Sequence, residues 1–206
     1  GCDLGLFIHP SDTDETSLRP VYGERIRDIA GNSFAAGNYD FSPDLNAGFA
    51  FGKENMYLTA GMNRSGFGPF PDSDILLSPQ AYHAHNMTLV YDGKYADFTQ
   101  YASVINAGKN NGSSDDYELN KIFLLHSIRL PVFTPKFIFS YYEAVVYKAR
   151  VDPLYMVPFA SYPFMNFFDT SSDNTAAGFT VQIKPVKCLE LNADILIDDI
   201  DLKQTL

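Results

Sequence analysis

The chain has 206 residues, the size of one domain or of one piece of a larger one. A formal charge of −10 excludes a duplex nucleic-acid partner, because phosphate contacts need a basic face. A 46% hydrophobic content with 13 Tyr and 17 Phe excludes a disordered chain, while charged residues, at 19%, are few for a water-exposed surface.

In chain order, Gly1-Cys2 fits the end of a lipoprotein signal whose cysteine is acylated; the plainer reading is a chain trimmed at that point. No secretory signal precedes Gly1, so export is not directly legible. Residues 1–40 have no assigned role beyond weak helical spacing at Glu24 to Ala30, which predicts a short helix. Cys2 and Cys188 lie far apart without metal-ligand spacing, so neither a metal set nor a disulfide framework is indicated. No run approaches ~18 apolar residues, so no membrane-crossing helix is expected.

From residue 45 onward the pattern has period two. Strands are predicted at 45–51, 55–63, 87–91, 94–105, 117–132, 136–148, 177–183 and 188–197. Along the last, Leu189, Leu191, Ala193, Ile195 and Ile197 point one way, and Glu190, Asn192 and Asp194 the other. Four short links join strands in pairs: Gly52-Lys53-Glu54, a tight two-residue Asp92-Gly93 hairpin, Phe133-Thr134-Pro135 and Lys184-Pro185-Val186-Lys187. Between the pairs come much longer links at 63–74, 106–116 and 149–175. Short turns at one end and long loops at the other are the pattern of a bacterial outer-membrane barrel, and strands of ~11 residues suit a tilted crossing. Tyrosines near strand ends, such as Tyr91 and Tyr147, fit an aromatic girdle. A soluble sandwich or lectin-like barrel is the alternative.

The stretch Arg64-Ser65-Gly66-Phe67-Gly68-Pro69, followed by Asp74-Ile75-Leu76-Leu77-Ser78 and Ala81, resembles a segment of the capsule-assembly (Wzi) family of outer-membrane proteins. Leu125-His126-Ser127-Ile128-Arg129-Leu130, Glu143-Ala144-Val145-Val146-Tyr147 and Asp152-Pro153-Leu154-Tyr155 are similar to further blocks of that family. So are Asp173-Asn174 with Gly178, Leu189-Glu190-Leu191, and Leu196-Ile197-Asp198-Asp199. The order and spacing agree over about residues 45–200. The resemblance implies an all-β, antiparallel up-and-down transmembrane barrel, with roughly eight to twelve strands present as part of one domain. It further implies a non-enzymatic surface lectin in the bacterial outer membrane, with lipid and capsular polysaccharide as partners and no cofactor. The chain is shorter than the family barrel, has Phe67 where Trp is frequent, and ends without a terminal aromatic residue, so it reads as a fragment. A porin-like diffusion channel and a soluble carbohydrate-binding β-protein are the alternative functions.

The candidate site is a lumen network or polysaccharide-binding surface of Arg64, Arg129, Glu143, Asp194, Asp198 and Asp199, with Arg64 or Arg129 bridging the acids. Gly66, Phe67, Gly68, Pro69, Asp74 and Ser78 form a motif loop folded back toward the interior, its glycines allowing turns that a Cβ would block. A glycosidase pair of Glu143 with Asp198 or Asp199 is disfavoured, because adjacent strand residues face opposite ways. His83 and His85 share a face but lack further ligands for a metal, and His126 reads as structural. Asp115-Asp116 and Ser171-Ser172-Asp173-Asn174 lack calcium-loop spacing. No phosphate loop, nucleophile elbow or CxxC occurs.

Overall fold

The computed structural model describes residues 2–10, 34–36, 39–63, 65–70, 75–77, 84–105, 121–132, 134, 136–148, 150, 152–168 and 173–198, with side chains described from residue 47 onward. The helix expected at 24–30 lies outside them. Ten strands form one sheet: β1 (Cys2–Pro10), β2 (Phe34–Ala36), β3 (Tyr39–Lys53), β4 (Met56–Asn63), β5 (Ala84–Asp92), β6 (Asp97–Ile105), β7 (Lys121–Pro131), β8 (Phe137–Lys148), β9 (Asn174–Val186) and β10 (Leu189–Ile197). From β3 to β10 each strand pairs antiparallel with the next, an eight-strand up-and-down meander. Both β1 and β2 pair with β3. Among the described residues the sheet is open: β1 and β10 end its strand order and do not pair with each other.

The alternation of short and long connections is present, but the turns differ from expectation. Asp92 pairs with Asp97, so that hairpin loop spans four residues, Gly93 to Ala96, rather than the two of Asp92-Gly93. Lys94 sits over the Tyr95 ring, 5.1 Å from its centroid, a contact at the loop tip. Strand β9 runs on through Pro185, and the turn is Lys187-Cys188. Proline survives there because Val186 pairs with Leu189 while Ile183 pairs with Leu191, which leaves Lys184 and Pro185 opposite Glu190 alone in a bulge. Glu190 is thereby removed from the expected inner row; it is exposed and pairs with Lys184 at 3.1 Å.

Directly opposed residues share a face, so the registers define two surfaces. One carries small and polar residues: Gly48, Thr59, Gly61, Asn86, Thr88, Ser103, Ser140, Thr180, Asn192 and Asp194. The other carries Phe49, Phe51, Met87, Phe98, Leu124, Val145, Phe179, Leu191 and Ile195. On β10 the alternation from Leu191 to Ile197 matches the expected one.

The middle of the sheet is covered on both sides. On the polar face, Ser65–Phe70 folds back and Phe67 bonds Leu77 (N to O 2.8 Å). Phe67, Leu76 and Leu77 pack onto Tyr101, Phe123, Leu125 and Ala144. Gly68 holds φ 148°, a backbone state that L side chains rarely adopt. Asn192 donates to the Pro69 carbonyl at 3.3 Å, tying this cover to β10. Gly178 is bare because the Tyr142 ring lies across it; a Cβ would meet the ring and the Ile195 carbonyl. On the apolar face, residues 152–168 form a strap ending in the helix α1 (Tyr162–Phe168), which the sequence pattern did not indicate. Tyr155, Tyr162 and Met165 seal Leu124, Val145 and Tyr147 beneath it. Each fully buried side chain of this kind contributes ~1.5–3 kcal/mol relative to exposure.

Candidate functional site

Two polar knots hold the strap. The first centres on Glu143, at mid-strand in β8 and only 3% exposed. A carboxylate so buried needs donors on all sides. It receives the Tyr141 hydroxyl, the Ser161 hydroxyl at 2.8 Å and the Tyr162 amide at 2.7 Å, and it lies 3.3 Å from His126 Nε2. His126 is its directly opposed partner on β7. Two donors thus come from the sheet's hydroxyl and imidazole and two from the strap, so the carboxylate rivets one to the other. It also caps α1: Tyr162 opens the helix and Pro163 has no amide to satisfy. Burial, with the Glu143 charge beside it, pushes the Tyr162 phenol well above the ordinary tyrosine range.

The second knot ties the two ends of the strap. Arg150 Nη2 lies 2.6 Å from Asp173 Oδ2 and 3.2 Å from Asp152 Oδ2. Tyr155 donates to the same Asp173 carboxylate at 3.0 Å, and Asn166 donates to the Asp173 carbonyl at 2.9 Å. Asp152 also accepts the Leu154 amide, a local turn that starts the strap. The hydrogen bond to Asp173 raises the Arg150 pKa further above its already high ordinary value, so it stays charged throughout the accessible pH range. Between the knots, Phe159 holds φ 65°, unusual for a bulky residue, and its ring lies 4.2 Å from that of Phe98.

Among the described residues, the Arg129 part of the expected network is not assembled. Arg129 is half exposed and pairs with Asp97 at 3.5 Å instead of with Glu143, Asp194 or Asp198. The physical reason is position: Asp97 is its directly opposed neighbour on β6, near the short-turn end. Glu143 and Asp194 lie on opposite faces, since Asp194 opposes Thr180 and Thr180 opposes Ser140, one parity away from Glu143. Asp194 instead accepts the Tyr142 hydroxyl at 2.7 Å. Asp198 follows the end of β10 and is exposed. Arg64, Asp199, Asp74, Ser78 and His83 lie outside the described residues. Gly66, Phe67, Gly68 and Pro69 lie in the polar-face cover. The arginine that does gather acids, Arg150, was missed. Part of its signal was available: it is the only basic residue between 149 and 175, two positions before Asp152, whereas Asp173 lies 23 positions on.

Replacing Arg150 by Ala should destabilise the fold by about 1–3 kcal/mol, below the range for a fully buried pair because the guanidinium is partly exposed. Protease cleavage within 152–168 should accelerate accordingly. Unchanged cleavage would show that the knot does not hold the strap.

Glu143, enclosed by protein donors, fixes the strap in place, while the Nδ1 of the buried His126 has no hydrogen-bond partner among the described residues. Among the described residues no three His, Cys, Asp or Glu side chains converge in a way that would hold a metal ion. Among them, too, no helix is long and apolar enough to cross a membrane. Comparison with protein-family models, curated proteins and solved structures finds no match to this chain.

Proposed function

We propose that this chain forms part of the wall of an outer-membrane β-barrel of the capsule-assembly type, which holds surface polysaccharide and does not turn over a substrate. The observation that carries the reading is the segregation of the two faces. On β3, β4, β5, β9 and β10 the exposed large apolar side chains lie on a single face, Phe51 and Ile195 among them and Tyr57 excepted, while the opposite face is mostly small and polar. A solvated sheet places its polar face outward, whereas a barrel wall places its apolar face in lipid. The alternation of short and long connections supports the same reading, as do the lengths of β7, β8 and β9, at 11, 12 and 13 residues. Additional strands would pair the open edges. The glycan role rests on the quoted motif blocks. The cover of Ser65–Phe70 on the polar face favours a holding protein over an open channel, since it occupies the surface a channel would line with water.

The test is expression with an export signal, followed by membrane fractionation and gel mobility before and after boiling. Sedimentation with outer membranes and a heat-modifiable band are expected, together with retention of capsular polysaccharide that is lost on deletion. An aqueous, heat-insensitive protein would overturn the barrel. A heat-modifiable protein that retains no glycan but conducts ions in planar bilayers would replace the holding role with a channel.

A further inference from the structure

On β6, β7 and β8 the apolar face is interrupted by Gln100, His126 and Glu143, three directly aligned polar side chains that lipid would not tolerate bare. The strap lies over this interruption. Its residues 153–168 contain no charged side chain, in a chain where charged residues make up 19%. The polar side chains it carries turn inward: the Ser161 hydroxyl to Glu143, the Tyr155 hydroxyl to Asp173 and the Asn166 amide to the Asp173 carbonyl. Leu154, Met156, Val157, Phe159, Phe164 and Phe168 point out, Phe168 at 75% exposed and Phe164 at 59%.

The backbone follows the same economy. Pro153, Pro158 and Pro163 have no amide hydrogen to satisfy. The amides of Leu154, Met156, Ala160, Tyr162 and Met165 are bonded within the strap, to Asp152 or to Glu143. Irregular backbone facing water needs no such arrangement; next to lipid, each unpaired amide is expensive.

We infer that the strap is a lipid-contacting element: its outer side chains meet the acyl chains of the bilayer, and it restores an apolar surface over the polar break in the wall. This rests on the reading of the apolar sheet face as lipid-facing. An apolar body with its polar groups turned to the protein is how interfacial segments bind, with strength scaling with the apolar area inserted. The Arg150, Asp152 and Asp173 knot sits at the strap's ends, where the long connections emerge, and keeps the charges out of the apolar stretch.

The test uses the full chain with Cys2→Ser and Cys188→Ser, reconstituted in phosphatidylcholine–phosphatidylglycerol vesicles. An environment-sensitive fluorophore is attached through Phe164→Cys, Met156→Cys or, as the reference on β10, Ile195→Cys. Folding of each variant is confirmed by its gel mobility before and after boiling. Lipid-borne nitroxide should quench both strap labels and the Ile195 label at least about twofold more strongly than aqueous iodide does. Quenching of the Ile195 label by nitroxide, with both strap labels reached only by iodide or by neither quencher, overturns the inference and leaves the wall in lipid; the strap would then lie in water or against protein. Iodide quenching of the Ile195 label overturns the lipid-facing reading itself, and the inference falls with it.

Discussion

Replacing Glu143 by Ala is expected to lower stability by about 3–5 kcal/mol, the range for breaking a buried charged pair by removing one member. Four donors lose their acceptor at once: the hydroxyls of Tyr141 and Ser161, the Tyr162 amide and His126 Nε2. Tyr162 is fully buried and cannot exchange its lost amide bond for water without opening the strap. Glu143→Gln retains the shape but offers one carbonyl oxygen and adds two donors, so it should cost about half as much. Urea titration of the chain folded in detergent gives the midpoint, and limited proteolysis reports on 152–168. A Glu143→Ala midpoint within error of the parent would mean that the strap is held by packing alone.

On the opposite face, Tyr142→Ala should cost about 3–5 kcal/mol through the cavity it leaves. Its ring is fully buried, lies over Gly178 and meets Phe67 edge-on at 5.3 Å. Its hydroxyl reaches Asp194 on β10. Tyr142→Phe keeps the ring and should cost only about 1 kcal/mol, the net value of one hydrogen bond. Hydrogen exchange separates the two sites. The Tyr142→Ala variant should expose the Phe67 amide, which bonds Leu77, and leave the Met165 amide protected. Glu143→Ala should do the reverse. Equal loss at both amides in either variant would show that the two covers open as one unit.

The meander was legible because period two needs only local information, and β4, β6, β8 and β10 lie within a few residues of their expected bounds. Turn positions were less legible: Asp92-Gly93 marks only the start of a four-residue loop, and the breaker signal of Pro185 is overridden by the pairing of β9 with β10. The helix α1 had no readable face: Tyr162–Phe168 has no charge, and its first amide is capped by a side chain 19 positions earlier. The face a residue takes within its own strand is legible from alternation, but its neighbours on other strands are not. Parity sets Glu143 apart from Tyr142 at sight, whereas putting Glu143 and Asp194 on one face requires the registers of β8 with β9 and β9 with β10. Arg129 was favoured because a guanidinium can bridge crowded carboxylates, yet it lies at the short-turn end, away from both knots.

Tyr142 and Glu143 are neighbours in the chain and hold different covers on different faces. A slip of β8 by one residue would drive a carboxylate against Phe67 and Leu125 and offer a phenol ring to Ser161 and the Tyr162 amide. Both covers would then be lost together, so a misaligned central strand gains nothing from either side. The pair serves as an error check on assembly, imposed twice by unrelated chemistries, one aromatic packing and one charge neutralisation.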